Sequence, residues 1–263
     1  MADGSLMSAD SSTFTSTRVS MLTGKTDQNA APSSFHEIMP GADGKKNVGK
    51  VISDNYEVVE GSWPKNKNEV VLVLDENNSL SLTTVYELGL KSASEYHDMM
   101  NQLNSGDDVK TDTKKIDYSD VIDRTLKLLP ACDQYVKGDN GHWTYVGDDV
   151  DQINALIDSD KAIDLKIVGV VKPVEDADAT PLSSGVGYTR ALTNELIDRA
   201  ESSEIVTEQR SDKDHNVLNG MTFSPSDDAT KAQDARDYVA IPRRKQQGAD
   251  GAEHDGGRRR IRR

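Results

Sequence analysis

The side chains best suited to acid–base or metal chemistry are scattered along this chain. Its histidines are His36, His97, His142, His215 and His254. His142 has no second ligand at the spacing of a metal site, and no zinc pattern, phosphate-binding loop or serine nucleophile elbow is present. We therefore expect no catalytic residues, no metal and no cofactor, and we predict that the chain is not an enzyme.

Three carboxylates, Asp148, Asp149 and Asp151, precede a stretch with apolar residues at helical spacing. They lack the Asp-x-Asp-x-Asn-Gly spacing and the closing glutamate of a calcium loop. Because carboxylates at the start of a helix are stabilised by the helix dipole, we interpret them as capping residues. A hydrolase is the alternative if Asp148, Asp149 and His142 converge on one cleft.

Aromatic residues are concentrated in a predicted β-hairpin at residues 134–146. Two alternating strands flank a Gly-Asp-Asn-Gly loop. Its Asn140-Gly141 pair predicts a type I′ turn, because the twist of that turn matches the twist of the flanking strands. Aromatic hairpins are common contact elements in protein interfaces. The candidate partner or ligand contacts on this hairpin are His142, Trp143 and Tyr145.

Trp63, which precedes Pro64, is the fourth candidate contact. A large ring at this place predicts an anchor on the rim of the core, with its indole N–H bonded to the main chain. Stacking of the ring on a ligand is the alternative interpretation.

The elements that must position these residues are short strands and helices. Apolar and alternating runs predict strands at residues 48–52, 56–59, 70–74, 125–129 and 165–171. Gly169 inside the last run indicates a bulge or a close main-chain approach. Helices are predicted at 94–103, at 82–88 with Gly89 after the last turn, and at 190–203 with Thr189 as the cap. We expect an α+β fold, a mixed sheet of short strands with helices on one face, in one subdomain or two.

Composition limits the size of the core. The 263 residues are 35% hydrophobic and 5% aromatic, which is low for a compact globule, and the net charge is −14. Because its net charge is negative, the chain is repelled by nucleic acid and by anionic membrane surfaces. We therefore expect no nucleic acid as a partner. A cationic partner would suit it, although a surface that only keeps the protein soluble is the simpler interpretation.

Three segments differ in composition. Residues 1–34 are rich in Ser, Thr, Asp and Gly and predict a flexible N-terminal segment, whereas residues 35–223 contain the predicted strands and helices and form the core domain. Residues 224–263 hold ten Lys and Arg against seven Asp and Glu, with few apolar side chains. This composition predicts a disordered basic tail.

Cysteine usage is compatible with two locations. The single cysteine, Cys132, excludes a disulfide within the chain, which fits a reducing compartment or a bacterial surface that does not rely on disulfides. The sequence contains no run of about 18 apolar residues, so it predicts no membrane-spanning helix. The N-terminus has no basic region followed by an apolar one, so we expect no secretory signal.

An ordered set of short motifs resembles a known family. The motifs are GSWPKNKNEVVL at 61–72, DENN at 75–78, YELGL at 86–90, RTLKL at 124–128, LKIVGVVKP at 165–173 and GVGYTRALT at 185–193. In this order they resemble the extracellular domain of FtsX-like, MacB-type ABC transporter permeases, in the Gram-positive form with a large extracellular insert. Asp123 stands where the family usually has glycine. The resemblance covers residues 35–223, after which the family continues with a further helix and strands.

The resemblance implies a MacB-like periplasmic core domain that sits between the first two membrane helices of a permease. It implies that an ABC ATPase subunit drives transport from the cytoplasmic side. The domain would then transmit motion or engage cargo on the extracellular side of the cell membrane. Antimicrobial peptides, lipoproteins and other envelope substrates are the implied cargoes, and the acidic surface favours a cationic peptide. A stand-alone extracellular module that binds or senses a peptide or other envelope ligand is the alternative.

Overall fold

The computed structural model describes residues 34–80, 82–92, 94, 95, 98, 101, 102, 105, 117–147 and 149–223. The segment predicted to be flexible (1–34) lies outside these residues except for Ser34, and so does the predicted tail at 224–263. The helix predicted at 94–103 lies only partly within them. Within the described residues, no helix has the length and the apolar character needed to cross a membrane.

The described residues form strands of 3 to 11 residues and short helices. The strands are β1 (Phe35–Glu37), β2 (Tyr56–Gly61), β3 (Glu69–Val73), β4 (Thr125–Leu128), β5 (Tyr135–Lys137), β6 (Trp143–Tyr145), β7 (Ile163–Pro173) and β8 (Gly185–Tyr188). The helices whose bounds lie within the described residues are α1 (Lys50–Asn55), α2 (Leu82–Glu87), α3 (Val150–Ile157), α4 (Arg190–Ser202) and α5 (Glu204–Ser211). Two turns of 3-10 helix, Tyr118–Asp120 and Ala131–Gln134, connect them.

Strand β7 organises the larger sheet, whose order is β1–β8–β3–β7–β2, with β4 also paired to β7. β7 is parallel to β3 and antiparallel to β2 and β4, while β8 is antiparallel to β3 and parallel to β1. Along β7, β4 pairs with residues 163–166 and β2 with residues 169–173. The sheet is mixed, so the α+β class and the strands predicted at 56–59, 70–74, 125–129 and 165–171 are confirmed.

Gly169 lies at a bulge in β7, as its place in the apolar run predicts. The pairing with β3 steps from Ile167 to Gly169 and leaves Val168 as the extra residue. Ile167 and Val170 therefore face the same core, although a spacing of three would put them on opposite faces of a regular strand. A Cβ atom on Gly169 would lie 2.3 Å from the carbonyl oxygen of Ser62. Glycine thus allows the two main chains to approach.

The sheet has an apolar core on each face. One core contains Val70 and Leu72 of β3 with Leu192 of α4, and the other contains Val71 of β3 with Ile52 of α1. The prediction of helices on one face is therefore wrong. A strand that is apolar at successive positions, as β3 is, needs cover on both of its faces.

The prediction of a strand at 48–52 is also wrong, because residues 50–55 form α1. The helix begins after Gly49, buries Ile52 completely and leaves Val51 52% exposed. A short apolar run does not distinguish a strand from a helical turn, and the contact of Ile52 with the far face of the sheet favours the helix.

The predicted start of α4 and the predicted end of α2 are confirmed. α4 begins after Thr189, although the threonine hydroxyl makes no capping hydrogen bond. α2 is followed by Gly89, whose φ of 64° is the left-handed conformation expected after the last turn.

Candidate functional site

The smaller sheet, β5 and β6, belongs to a region that we call the hairpin lobe (residues 129–157). Its small core is formed by Leu129, Val146 and Ile153. Asp149 caps α3, because its Oδ1 accepts the main-chain N–H of Gln152 at 3.2 Å. The capping interpretation of Asp149 is thus confirmed, whereas Asp148 lies outside the described residues.

The predicted hairpin is confirmed, but its turn is of another type. The N–H of Gly138 donates to the carbonyl of His142 at 2.9 Å, and the N–H of Gly141 donates to the carbonyl of Gly138 at 2.9 Å. Gly141 has a φ of 80°, while Asn140 is not in the positive-φ region that a type I′ turn requires. The loop is the three-residue kind that ends in a left-handed glycine. The side chain of Asn140 instead accepts the N–H of His142 at 3.1 Å.

The indole of Trp143 lies at the centre of the candidate site and is 8% exposed. Its Nε1–H donates to Oε2 of Glu208 in α5 at 2.8 Å. The same oxygen accepts from the Lys137 ammonium at 2.7 Å, and that ammonium lies 5.9 Å from the centre of the Trp143 ring. One carboxylate therefore connects α5 to both arms of the hairpin through charge-assisted bonds.

The environment of Glu208 favours its charged form. The hydrogen bond from the Lys137 ammonium, followed by that from the Trp143 indole, lowers the pKa of the Glu208 carboxyl. Hydrogen bonds and a positive charge both stabilise a carboxylate relative to the neutral acid. Glu208 therefore acts as a charged anchor and not as a proton donor at neutral pH.

A second contact involves the main chain of residues 203–223, a segment that contains α5 and that we call the clasp. The carbonyl of Val217 accepts the N–H of Trp143 at 3.1 Å. A Cβ atom on Gly220 would lie 2.7 Å from Cε1 of His142, so the imidazole rests on the backbone there. The clasp thus covers one arm of the hairpin.

The four predicted contact residues do not form one site. Trp63 packs against the core that contains Ile52, whereas His142 and Trp143 lie against the clasp. Trp143 is buried rather than presented to a partner. Tyr145 is 45% exposed, and its ring lies 5.5 Å from that of Tyr135. Tyr145 therefore presents its ring at the surface of the hairpin.

Glu208 and Lys137 were not recognisable as site residues in the sequence. Glu208 is separated from Trp143 by 65 positions and resembles any charged residue on a helix surface. Lys137 follows two residues of ordinary strand pattern. No local signal indicates that their side chains meet.

The described residues include few groups that could perform chemistry. No three His, Cys, Asp or Glu side chains among them are grouped so as to hold a metal ion. Burial raises the pKa of the Cys132 thiol, and the neighbouring Asp133 carboxylate adds to this effect, so the thiol stays protonated at neutral pH. Nε2 of His36 and Oγ1 of Thr189 are buried without a hydrogen bond in the described structure. Burial lowers the pKa of His36.

A groove of about 290 Å³ lies between α1 and the residues that follow β7. Its lining includes three carboxylates, and Lys50 forms an ion pair with one of them, Asp54. The other two are Asp176 and Asp178. The groove therefore presents negative charge to solvent.

Comparison with protein-family models, with curated proteins and with solved structures gives no match for this chain.

Proposed function

We propose that this chain is the extracellular domain of an FtsX-like, MacB-type ABC transporter permease. In this proposal it has the MacB-like periplasmic core fold and transmits motion or engages cargo at the outer face of the cell membrane. ATP hydrolysis belongs to a partner ATPase subunit, and the membrane helices of the parent permease anchor the domain. The domain itself is not an enzyme.

The observation that carries the proposal is the way in which the motif segments assemble. Four of the six motifs supply β3, β4, β7 and β8, which form the contiguous part of the sheet ordered β8–β3–β7–β4. The other two motifs are the turn after β3 and the end of α2. Motifs that are far apart in sequence thus contribute neighbouring strands, as a shared architecture requires.

The conformation of Asp123 also supports the resemblance. Asp123 has a φ of 65°, in the left-handed region that glycine adopts without cost. Its N–H donates to the carbonyl of Ile167 at 2.9 Å, and its carboxylate pairs with Lys166 at 2.8 Å. Aspartate tolerates this region better than most residues. The departure from the family motif therefore keeps the backbone shape that a glycine would provide.

Transmission of motion requires elements that are joined firmly. β7 pairs with three strands, and Arg199 of α4 connects the sheet region to the hairpin lobe. The Arg199 guanidinium donates to Asp133 at 2.8 Å and to the carbonyl of Lys161 at 2.7 Å. These contacts support the proposal, because they would carry a displacement at one end of β7 to the strands and helices around it.

Fractionation of cells that make the protein tests this proposal. An antibody raised against residues 35–223 is expected to detect, in the membrane fraction, a band of greater mass than the 263-residue chain. Protease added outside intact cells from which the wall has been removed is expected to destroy that band. A soluble band of the mass of this chain, resistant to external protease, would overturn the proposal.

The acidic groove favours a second candidate, an extracellular module that binds a cationic peptide. The full chain would be titrated by calorimetry with a short oligolysine and with an uncharged peptide of equal length. Binding of oligolysine that is lost in the double variant Asp176→Asn/Asp178→Asn supports this candidate. Equal heats for both peptides, or binding that the double variant retains, would reject it.

A further inference from the structure

The clasp is attached to the protein without an apolar core of its own. Every residue from 203 to 223 is described, and none of them is buried. α4, directly before the clasp, places the fully buried Leu192 in the core between helix and sheet. Segments with few buried apolar contacts open at a lower cost in free energy than the core does.

Ser203, the first residue of the clasp, joins it to α4. It lies between the last residue of α4 and the first residue of α5, with an extended backbone (φ −67°, ψ 149°). Its hydroxyl caps α5 by accepting the N–H of Val206 at 3.4 Å. One extended residue between two helices allows the angle between them to change while both helices keep their hydrogen bonds.

Gln209 holds the clasp together as one unit. Its Nε2 donates to the carbonyls of Asp212 and His215, at 2.7 and 2.8 Å. Its Oε1 accepts the N–H of Val217 at 3.2 Å. α5 and the segment that follows it are therefore joined by bonds that do not involve the hairpin.

Three hydrogen bonds seen in the described part of the chain connect this unit to the hairpin, and two of them end on Oε2 of Glu208. They are the bonds from the Trp143 indole and the Lys137 ammonium, and the third joins the Trp143 N–H to the Val217 carbonyl. Loss of the Glu208 carboxylate would remove the two charge-assisted bonds together.

We propose that the clasp opens from the hairpin about Ser203 as one unit while the sheet stays folded. The Glu208 carboxylate is the latch that keeps the clasp closed. Opening uncovers the indole and the main-chain N–H of Trp143 and releases the half-exposed ammonium of Lys137 from its ion pair. This movement takes place whether or not the chain belongs to a transporter.

Native-state amide hydrogen exchange of the full chain, read by mass spectrometry, tests the latch. In Glu208→Ala the amides of Trp143 and of the clasp are expected to exchange about tenfold faster, because the closed state has lost both bonds to Glu208. Amides of β3 and β7 are expected to keep their wild-type protection. Glu208→Gln keeps an oxygen that accepts from the indole, so its effect should be intermediate.

The ion pair between Lys67 and Glu195 provides a matched control. Its length is 2.7 Å, the same as that of the Lys137–Glu208 pair, and its side chains are 48% and 36% exposed compared with 46% and 35%. Glu195→Ala should leave exchange in the clasp and at Trp143 unchanged. Wild-type exchange in the clasp of Glu208→Ala would overturn the proposal, and so would equal acceleration in the clasp and in β3.

Discussion

Strand β7 and helix α5 differ in what holds them in place. Buried and exposed side chains alternate along β7, with a run of buried residues after the bulge, whereas α5 contains no buried residue. β7 is stabilised by apolar area removed from water, at roughly 25 cal/mol per Å². α5 is held by a few hydrogen bonds, and those to Glu208 are partly exposed to solvent, which weakens them. The sheet therefore sets the stability of the whole domain, and the clasp adds a local equilibrium to it.

The largest effect is expected where two main chains touch beside β7. Gly61→Ala should lower the free energy of unfolding by ~3 kcal/mol or more, because the new Cβ would lie 2.2 Å from the carbonyl oxygen of Val168. Urea denaturation followed by circular dichroism measures this loss.

Gly89→Ala is the matched control for that substitution. Gly89 has a φ of 64°, close to the 76° of Gly61, but a Cβ atom there would have no atom within 4 Å. We expect a loss of ~1 kcal/mol, which reflects the left-handed backbone alone. Equal losses in the two variants would mean that the close approach does not stabilise the sheet.

A comparison within α4 separates the buried side of the helix from the exposed side. Leu192 is fully buried against the sheet and Ile197 is 51% exposed. Leu192→Ala should cost ~3 kcal/mol through the cavity that it leaves. Ile197→Ala should change stability by less than ~0.5 kcal/mol. Similar unfolding midpoints for both variants would contradict the assignment of the core to this face.

A smaller effect is expected in the hairpin lobe. Asp149→Ala should cost ~1 kcal/mol, because the N–H of Gln152 loses its cap at the start of α3. Thermal unfolding measures the total loss of stability. Hydrogen exchange of the variant, compared with the wild type, should be accelerated more in α3 than in β7. Asp151→Ala serves as the control, because Asp151 lies in the first turn of the same helix while Asp149 is the residue that caps it. The control variant should lose less stability, and an equal loss in both would contradict the capping role.

The smallest effect is a dependence on pH that arises at the edge strand β1. The pKa of His36 is lowered from 6.5 by burial, so the folded state takes up its proton less readily than the unfolded state. Stability should be unaffected by this group above pH 6.5 and should fall as the pH drops from there through the folded-state pKa. His36→Gln should show a weaker loss of stability between about pH 8 and about pH 5. An identical pH profile in the variant would contradict burial as the cause.

The local sequence pattern was sufficient to predict the elements that are long or strongly apolar. β3 and β7 were predicted because each is a nearly continuous apolar run, and α4 was predicted because its apolar residues recur at helical spacing. Gly169 and Gly89 were predicted because each interrupts or ends such a pattern. The hairpin was predicted from its loop, but the turn type was not, because the side chain of Asn140 bonds to the main chain of His142 instead of supporting a type I′ geometry. The wrong strand at 48–52 was a short apolar run without a distinctive period.

The sequence by itself determined the strands β2, β3, β4 and β7, the hairpin and the helices α2, α3 and α4, since their patterns depend on neighbours a few positions away. Only the tertiary structure decided that α1 covers the second face of the sheet and that Trp143 is buried against Glu208. Those contacts join residues that are distant in the chain. The sequence around Glu208 is the same whether or not an indole contacts its carboxylate in the folded protein. Burial and pairing across such distances are properties of the assembled fold, because the atoms that exclude water come from several elements at once.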